Sequence, residues 1–319
     1  MKDFNHEHLL TLADFSSEDY SIVFKTTKEL RAKHAGKWPE YPLEHKLVTM
    51  IFEKRSTRTR ISFANAVAQL GGQAIELSES NLHTGDGHES IEDTARTIGL
   101  YSVAIVIRCY EQSKIEAYAK HAGVPVINGL TDDLHPCQII ADLFTLHETV
   151  GELSGFRLAY IGRPNNITNT LALACPPLGI ELSIGYPDNF PWVHKKLQDF
   201  IHAGRRNGAD RPGKIQIHHD PIEAVKDADA IYTDTWFDTG TILKDAEKVE
   251  IMNRMKPFQV NEQLMASANS GAYFMHCMPA ERGREVTDEV IDNSKTSLIF
   301  KQAENRLHVQ KAVLALLLS

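Results

Sequence analysis

Short β-branched runs separated by helical stretches recur along this chain, and that alternation constrains the fold more than any other feature. Leu47–Phe52 (LVTMIF) reads as a buried strand, followed by residues 73–77, 103–108 (VAIVIR) and 124–128 (VPVIN). The pattern restarts near residue 155, with strands predicted at 158–162 (LAYIG), 180–184, 214–218, 230–234 and Tyr273–His276. Parallel strands need crossover connections, usually helices, so this alternation predicts parallel sheets. Ser56 reads as the cap of a helix carrying Ile61, Ala64, Val67, Ala68 and Leu70 on one face, stopped by Gly71-Gly72. A second helix over 167–174 ends at Pro176-Pro177. At about 150 residues per domain, 319 residues suit two domains or one large one, and the restart of the pattern favours two. The expected fold is α/β: two doubly wound parallel-sheet domains, residues 1–150 and 151–302, with an active-site cleft between them. The boundary is expected near 148–155. The final helix, 303–319, is expected to pack back on the first domain.

The chain carries 34 Lys plus Arg against 42 Asp plus Glu, a net charge of −8. That balance disfavours nucleic acid as a partner and confines any phosphate site to a local basic pocket. The longest apolar run, 312–318, falls far short of the ~20 residues that span a bilayer. The start, MKDFNHEHLL, lacks the apolar core of a signal peptide. Cys109, Cys137, Cys175 and Cys277 are far apart and form no CxxC pair, which points to a reducing cytoplasm and away from a disulfide or zinc framework.

In open parallel sheets, ligands bind beyond the carboxyl ends of the strands. Six segments occupy such positions: 53–60, Arg108, 135–138, 163–166, 234–240 and 276–282. Ser56-Thr57-Arg58-Thr59-Arg60 opens a helix, and free N–H groups, hydroxyls and guanidiniums there suit a phosphate. The plainer reading is a capped helix with two solvated arginines. His135-Pro136-Cys137-Gln138 offers a donor for a carbonyl oxygen and an acceptor for an amide, or simply a capping segment with a buried His. His276-Cys277-Met278-Pro279 places a thiol at a strand end, either a nucleophile in an electropositive niche or a small buried hydrophobe. His135, Cys137, His276 and Cys277 match no standard zinc spacing. No GxxxxGK[ST] loop is present and no GxGxxG follows the strand at Leu158, which argues against nucleotide cofactors.

Taken together, these blocks are specific. FEKRSTRTRISF (52–63), VINGLTDDLHPCQIIADLFTLHE (126–148), Asn165-Asn166, TDTW (233–236), MHCMPAERGREVTDEV (275–290) and AENRLHVQKA (303–312) stand in that order. Over nearly its whole length the chain resembles the ornithine carbamoyltransferases. The wider superfamily shares the STRT and HPxQ elements, and the HCMP and AENR blocks point to the ornithine side.

The resemblance implies carbamoyl phosphate at Ser56, Thr57, Arg58 and Thr59. Arg108 matches the arginine reaching phosphate and carbonyl oxygen, and His135 and Gln138 match the groups holding the carbamoyl end. His83 matches a residue supplied by a neighbouring subunit, which implies a homotrimer. Asp234 and Cys277 match residues near the reacting amine. Arg282 matches an arginine that polarises the carbonyl, Asn166 a group binding the α-carboxylate, and Met278 a substrate contact. No cofactor and no metal are implied, since fixed positive charge alone stabilises the departing phosphate.

Two departures stand out. The family reads D-x-W-x-S-M-G where this chain has Asp234-Thr235-Trp236-Phe237-Asp238-Thr239-Gly240, so Asp238-Thr239 replaces Ser-Met. Asp238 suits an α-ammonium through a charge-assisted bond, yet a second carboxylate also welcomes a plain diamine such as putrescine. The usual G-D-x-N-N is Gly162-Arg163-Pro164-Asn165-Asn166, and a cation at Arg163 able to offset the Asp238 charge would favour an amino acid again. The expected function is carbamoyl transfer to L-ornithine. Transfer to another amine and a non-catalytic anion-binding paralogue are the alternatives.

Overall fold

The computed structural model describes residues 4–34, 42–78, 82–83, 89–188, 191–204, 213–237 and 244–319. The chain divides into two compact units, Met1–Phe144 with Glu304–Ser319, and Thr145–Ala303.

The first unit holds a four-stranded sheet of β1 (Leu47–Phe52), β2 (Gln73–Ser78), β3 (Ala104–Arg108) and β4 (Val126–Leu130). The strand order is β2-β1-β3-β4 and every pairing is parallel. The order reverses between β1 and β3, which is where an open sheet leaves a crevice for a ligand. α1 (Ser17–His34), α2 (Arg58–Gln69), α3 (Ile91–Tyr101), α4 (Gln112–Ala122) and α5 (Pro136–Val150) occur in this half of the sequence. The exposed flank of β4 is covered by the N-terminal segment. Leu9 donates to Val126 O at 2.9 Å, and Asn128 donates back to Leu9 O at 2.8 Å. Pairing an edge in this way removes a template for aggregation.

Ser56 does cap α2, its hydroxyl accepting from the Thr59 N–H at 3.2 Å. The apolar face, however, only partly matches the one the spacing predicts, keeping Val67 and Leu70 of it. Ile61 is 65% exposed and Ala68 is exposed, while Thr59, Phe63, Ala66, Val67 and Leu70 are buried. Alanines lie on both flanks of this helix, so spacing leaves two stripes possible. Burying Phe63, a gain of about 1.5–3 kcal/mol, selects the second.

The second unit holds β5 (Arg157–Ile161), β6 (Glu181–Gly185), β7 (Ile215–His218), β8 (Ala230–Thr233) and β9 (Tyr273–His276). Their order is β7-β6-β5-β8-β9, again all parallel. Here the reversal lies between β5 and β8. The helices are α6 (Asn166–Ala174), α7 (Pro191–Gly204), α8 (Pro221–Val225), α9 (Asp245–Met255), α10 (Glu262–Ala266) and α11 (Asp288–Ile291). Pro176-Pro177 sits in a 3-10 turn directly after α6.

α12 runs over Ile299–Leu317, four residues earlier than the sequence reading begins it, and residues from 304 onward belong to the first unit. Its Lys311 is fully buried and donates to Leu30 O and Gln69 Oε1, each at 3.1 Å, which fastens this helix to α1 and α2.

Candidate active site

In the first unit the sheet ends at β1 and β3 deliver Ser56–Arg58 and Arg108. Thr57 already has helical backbone angles and Arg58 begins α2, so the N–H groups of a helix's first turn follow the end of β1 within a few residues. His135 is buried and its carbonyl accepts from the N–H groups of Gln138 and Ile139 as α5 begins. Burial, and then the charges of Arg306, Arg108 and Arg58, hold the His135 ring well below the usual imidazole range. This ring is therefore neutral near pH 7, a hydrogen-bonding group among three guanidiniums. Such a constellation suits a small dianion, with the histidine a donor to an oxygen that adds no charge.

Arg306, on α12, was assigned no role by sequence reasoning, although it lies in the AENR block. It is buried, and one guanidinium nitrogen donates to Gln138 Oε1 while the other donates to Thr59 Oγ1 at 3.2 Å. Gln138 in turn donates to Asp142 Oδ1 at 2.8 Å. The STRT turn and the HPCQ turn are thus tied together by one side chain. Gln138, expected to accept from an amide, already gives its carbonyl oxygen to Arg306. Cys137 is buried, with its thiol on Asn128 O at 3.4 Å and pushed up to about 12 by burial. That makes it a small hydrophobe.

In the second unit the site grows from the reversal between β5 and β8. Gly162 follows β5 at φ +146, a conformation that suits glycine. Asn165 then caps α6, its Oδ1 accepting from Ile167 N at 2.9 Å within a capping box completed by Thr168. The other end of that amide donates to Asp234 Oδ2 at 2.7 Å, across the two strand ends. Asp234 is buried, and its Oδ1 accepts from Thr235 N at 2.8 Å and from Cys277 Sγ at 3.1 Å. Asp234 and Cys277, both expected near the reacting amine, are brought together. Asn166 is half-buried at the first position of α6, and Arg163 reaches Trp236 O at 3.5 Å.

Asp234, His276 and Cys277 offer ligand atoms within 4.8 Å of one another. His276 has both ring nitrogens engaged, Nδ1 by the Met278 N–H at 2.8 Å and Nε2 by Glu285 at 3.3 Å. A metal would have to break one of these bonds, so the trio fits hydrogen bonding better than metal ligation.

Arg282, expected to polarise the carbonyl, lies among acidic side chains here. Its guanidinium makes three bonds of 2.7 Å to Asp288 and Asp292, on and beside α11, and the side chain is 42% exposed. His83 is exposed. Asp238 and Thr239 lie outside the described residues.

Both halves of the chain match a family model. Residues 7–148 match the carbamoyl-phosphate-binding domain of aspartate/ornithine carbamoyltransferase, and residues 154–317 match the Asp/Orn-binding domain. The ornithine carbamoyltransferase of Anoxybacillus flavithermus is 45% identical over 309 residues, 97% of this chain and 96% of that protein. The anabolic ornithine carbamoyltransferase of Pyrococcus furiosus is 43% identical over 310 residues, 97% of this chain and 96% of that protein. A solved structure of ornithine carbamoyltransferase from Pyrococcus furiosus superposes with a TM-score of 0.86 at 42% identity, covering 97% of this chain and 96% of that one. Two parallel α/β units, each with its chemistry at the reversal of its sheet, and family matches that together span nearly the whole sequence lead to one conclusion: this chain belongs to the aspartate/ornithine carbamoyltransferase family.

Proposed function

We propose that this chain transfers the carbamoyl group of carbamoyl phosphate to the side-chain amine of L-ornithine, giving L-citrulline and phosphate in arginine synthesis. The observation that carries it is the 40–45% identity, over nearly full length, to proteins that are all named ornithine carbamoyltransferase. The same comparisons do not favour a diamine acceptor or a non-catalytic role.

Carbamoyl phosphate binds to the first unit, with its phosphate at the N–H groups and hydroxyls of Ser56, Thr57, Arg58 and Thr59. Arg108 spans phosphate and carbonyl oxygen. Neutral His135 donates to that carbonyl. Arg306, already on Thr59 and Gln138, supplies the further positive charge there, the part sequence reading gave to Arg282. Fixed donors and cations of this kind act on charge that develops as the C–O bond to phosphate breaks.

Ornithine binds to the second unit, its α-carboxylate at Asn166. Its side-chain ammonium, with a pKa of about 10.4 by analogy with lysine, must lose a proton before it can attack. Asp234 and Cys277 orient the amine, and Met278 offers backbone contacts. The nitrogen attacks the carbamoyl carbon, phosphate departs with the bonding pair, and a phosphate oxygen collects the proton. Asp238 and Thr239 meet the α-ammonium and α-carboxylate in place of the family's Ser-Met.

The working assembly is a homotrimer in the cytoplasm, with His83 completing a neighbour's site. Exposed Ile61, Ile75, Leu100 and Tyr101 on the first unit support a subunit contact, and four cysteines that form no disulfide support a reducing compartment. No helix among the described residues is long and apolar enough to cross a membrane.

The test is steady-state carbamoyl transfer to L-ornithine, putrescine, L-lysine, L-aspartate and N-acetyl-L-ornithine. L-Ornithine is expected to give the highest kcat/KM. A preference for putrescine would show that Asp238-Thr239 has reset specificity. Binding of carbamoyl phosphate without transfer to any amine would contradict the reading.

A further inference from the structure

His276 and Glu285 adjoin the Asp234–Cys277 pair, yet the transfer described above uses neither. Both side chains are 0% exposed. A carboxylate is costly to bury unless it is paired and hydrogen-bonded, and Glu285 Oε2 has no hydrogen-bond partner among the described residues, so His276 matters to it.

The bonding around the ring has a direction. The Met278 backbone N–H donates to His276 Nδ1 at 2.8 Å, so Nδ1 carries a lone pair and no proton. The ring proton is therefore on Nε2, which donates to Glu285 Oε1 at 3.3 Å. That same oxygen accepts the Glu281 backbone N–H. The His276 backbone is held from the other side, its N–H on Gln302 Oε1 at 3.1 Å. Glu285 thus selects the tautomer, and the tautomer makes the acceptor that Met278 needs.

Met278 needs it because its backbone sits at φ +62. Residues with long side chains rarely adopt this left-handed conformation, and it persists only where the surroundings over-determine it. The residue before it is Cys277, whose thiol lies on Asp234 Oδ1 at 3.1 Å. Releasing the Met278 N–H would let the turn relax and carry the thiol with it.

We propose that Glu285 and His276 are positioning residues for carbamoyl transfer: the buried carboxylate holds the ring as the Nε2–H tautomer, and Nδ1 locks the left-handed turn that sets Cys277 against Asp234. The inference rests on the reading of Cys277 as an acceptor-side group.

Two substitutions separate this from simple packing. His276→Asn places an amide oxygen near the Nδ1 position and keeps an acceptor for Met278, but abandons Glu285. His276→Gln reaches toward the Nε2 position and keeps Glu285 company, but abandons Met278. A packing role favours His276→Gln on every readout. Positioning puts the two readouts in opposite order: His276→Asn has the lower Tm but the higher kcat. His276→Gln is expected to lose about 100-fold in kcat with KM for carbamoyl phosphate little changed, the scale of a misplacement near 1 Å. Equal kcat values, or a higher kcat for His276→Gln, overturn the proposal.

If the variants do not fold, nitrogen-15 spectra of histidine-labelled wild-type enzyme decide it. A neutral His276 ring protonated at Nε2 supports the proposal, and a ring protonated at Nδ1 overturns it. Wild-type enzyme with no carbamoyl transfer overturns the functional reading and its link to this turn, whereas an active wild type with the reversed order overturns this inference alone.

Discussion

Arg306 and Arg282 show what a single side chain's surroundings decide. Both sit in sequence blocks that resemble the family, and the sequence reading gave the carbonyl to Arg282. Arg306 bonds Thr59 and Gln138, which lie 247 and 168 positions away. Such partners are set by tertiary packing and leave no local spacing to read. Arg282, by contrast, finds Asp288 and Asp292 within ten positions. Arg306→Ala should lower kcat/KM for carbamoyl phosphate by about 10²–10³, the usual loss when one donor to developing charge is removed. Arg282→Ala should lower it by less than about tenfold, since partly exposed ion pairs contribute little. Steady-state kinetics of the two variants side by side checks the contrast. His135 supports a second prediction at this scale. Burial and three arginines keep its ring neutral through the ordinary imidazole range. His135→Asn should therefore reduce kcat and leave the acid limb of the kcat/KM profile in place. A limb near pH 6.5 that disappears in the variant would show that this ring titrates after all.

At the scale of elements, strand positions were legible because buried parallel strands are short apolar runs with turn residues at their ends. β1 and β9 fall at the positions read from sequence, and the remaining seven differ at one or both ends by one or two residues. The helices were less legible. α1 has no place in the sequence reading, although Tyr20, Val23, Phe24, Thr27 and Leu30 recur at helical spacing and are all buried, and α2 offered two stripes of which packing chose one. Close approach between helices was also invisible. A Cβ added at Gly99 in α3 would meet Ala122 O of α4 at 1.8 Å. Gly99→Ala should lower stability by about 1–3 kcal/mol, as overpacking does, seen as a reduced Tm. The N-terminal segment carries a pH-dependent contact. The His6 ring lies 3.4 Å from Asp14 and 3.3 Å from Asp19. The hydrogen bond to Asp14 raises the His6 pKa against the opposing effect of burial, and the bond to His6 lowers that of Asp14. A raised histidine contributes stability that is complete below its unfolded value of about 6.5 and is lost as pH rises through the folded value. A lowered aspartate contributes stability that is complete above about 3.9 and is lost as pH falls through its folded value. The Tm difference between wild type and His6→Ala should therefore be largest between about pH 4 and 6.5 and shrink above that.

At the scale of the whole molecule, the division of labour follows from the sheets. Each unit reverses its strand order once, and each places candidate chemistry at that reversal: Arg108 and a helix start in the first, and in the second a carboxylate, met by the thiol that follows the neighbouring β9. The sequence carried this plan in its alternation and in its motifs. It did not carry Arg306's bridge, the Asn165–Asp234 bond or the Glu285–His276–Met278 chain, because each depends on which strand ends and helices the fold sets side by side. The central claim is that one chain moves an intact carbamoyl group from phosphate to ornithine. Its most direct test uses carbamoyl phosphate labelled with carbon-13 at the carbonyl, L-ornithine and the purified protein, following label and phosphate together by NMR. The account predicts labelled citrulline and phosphate appearing in equal amounts, with neither formed at an appreciable rate when the protein is left out. Phosphate released without labelled citrulline would contradict it.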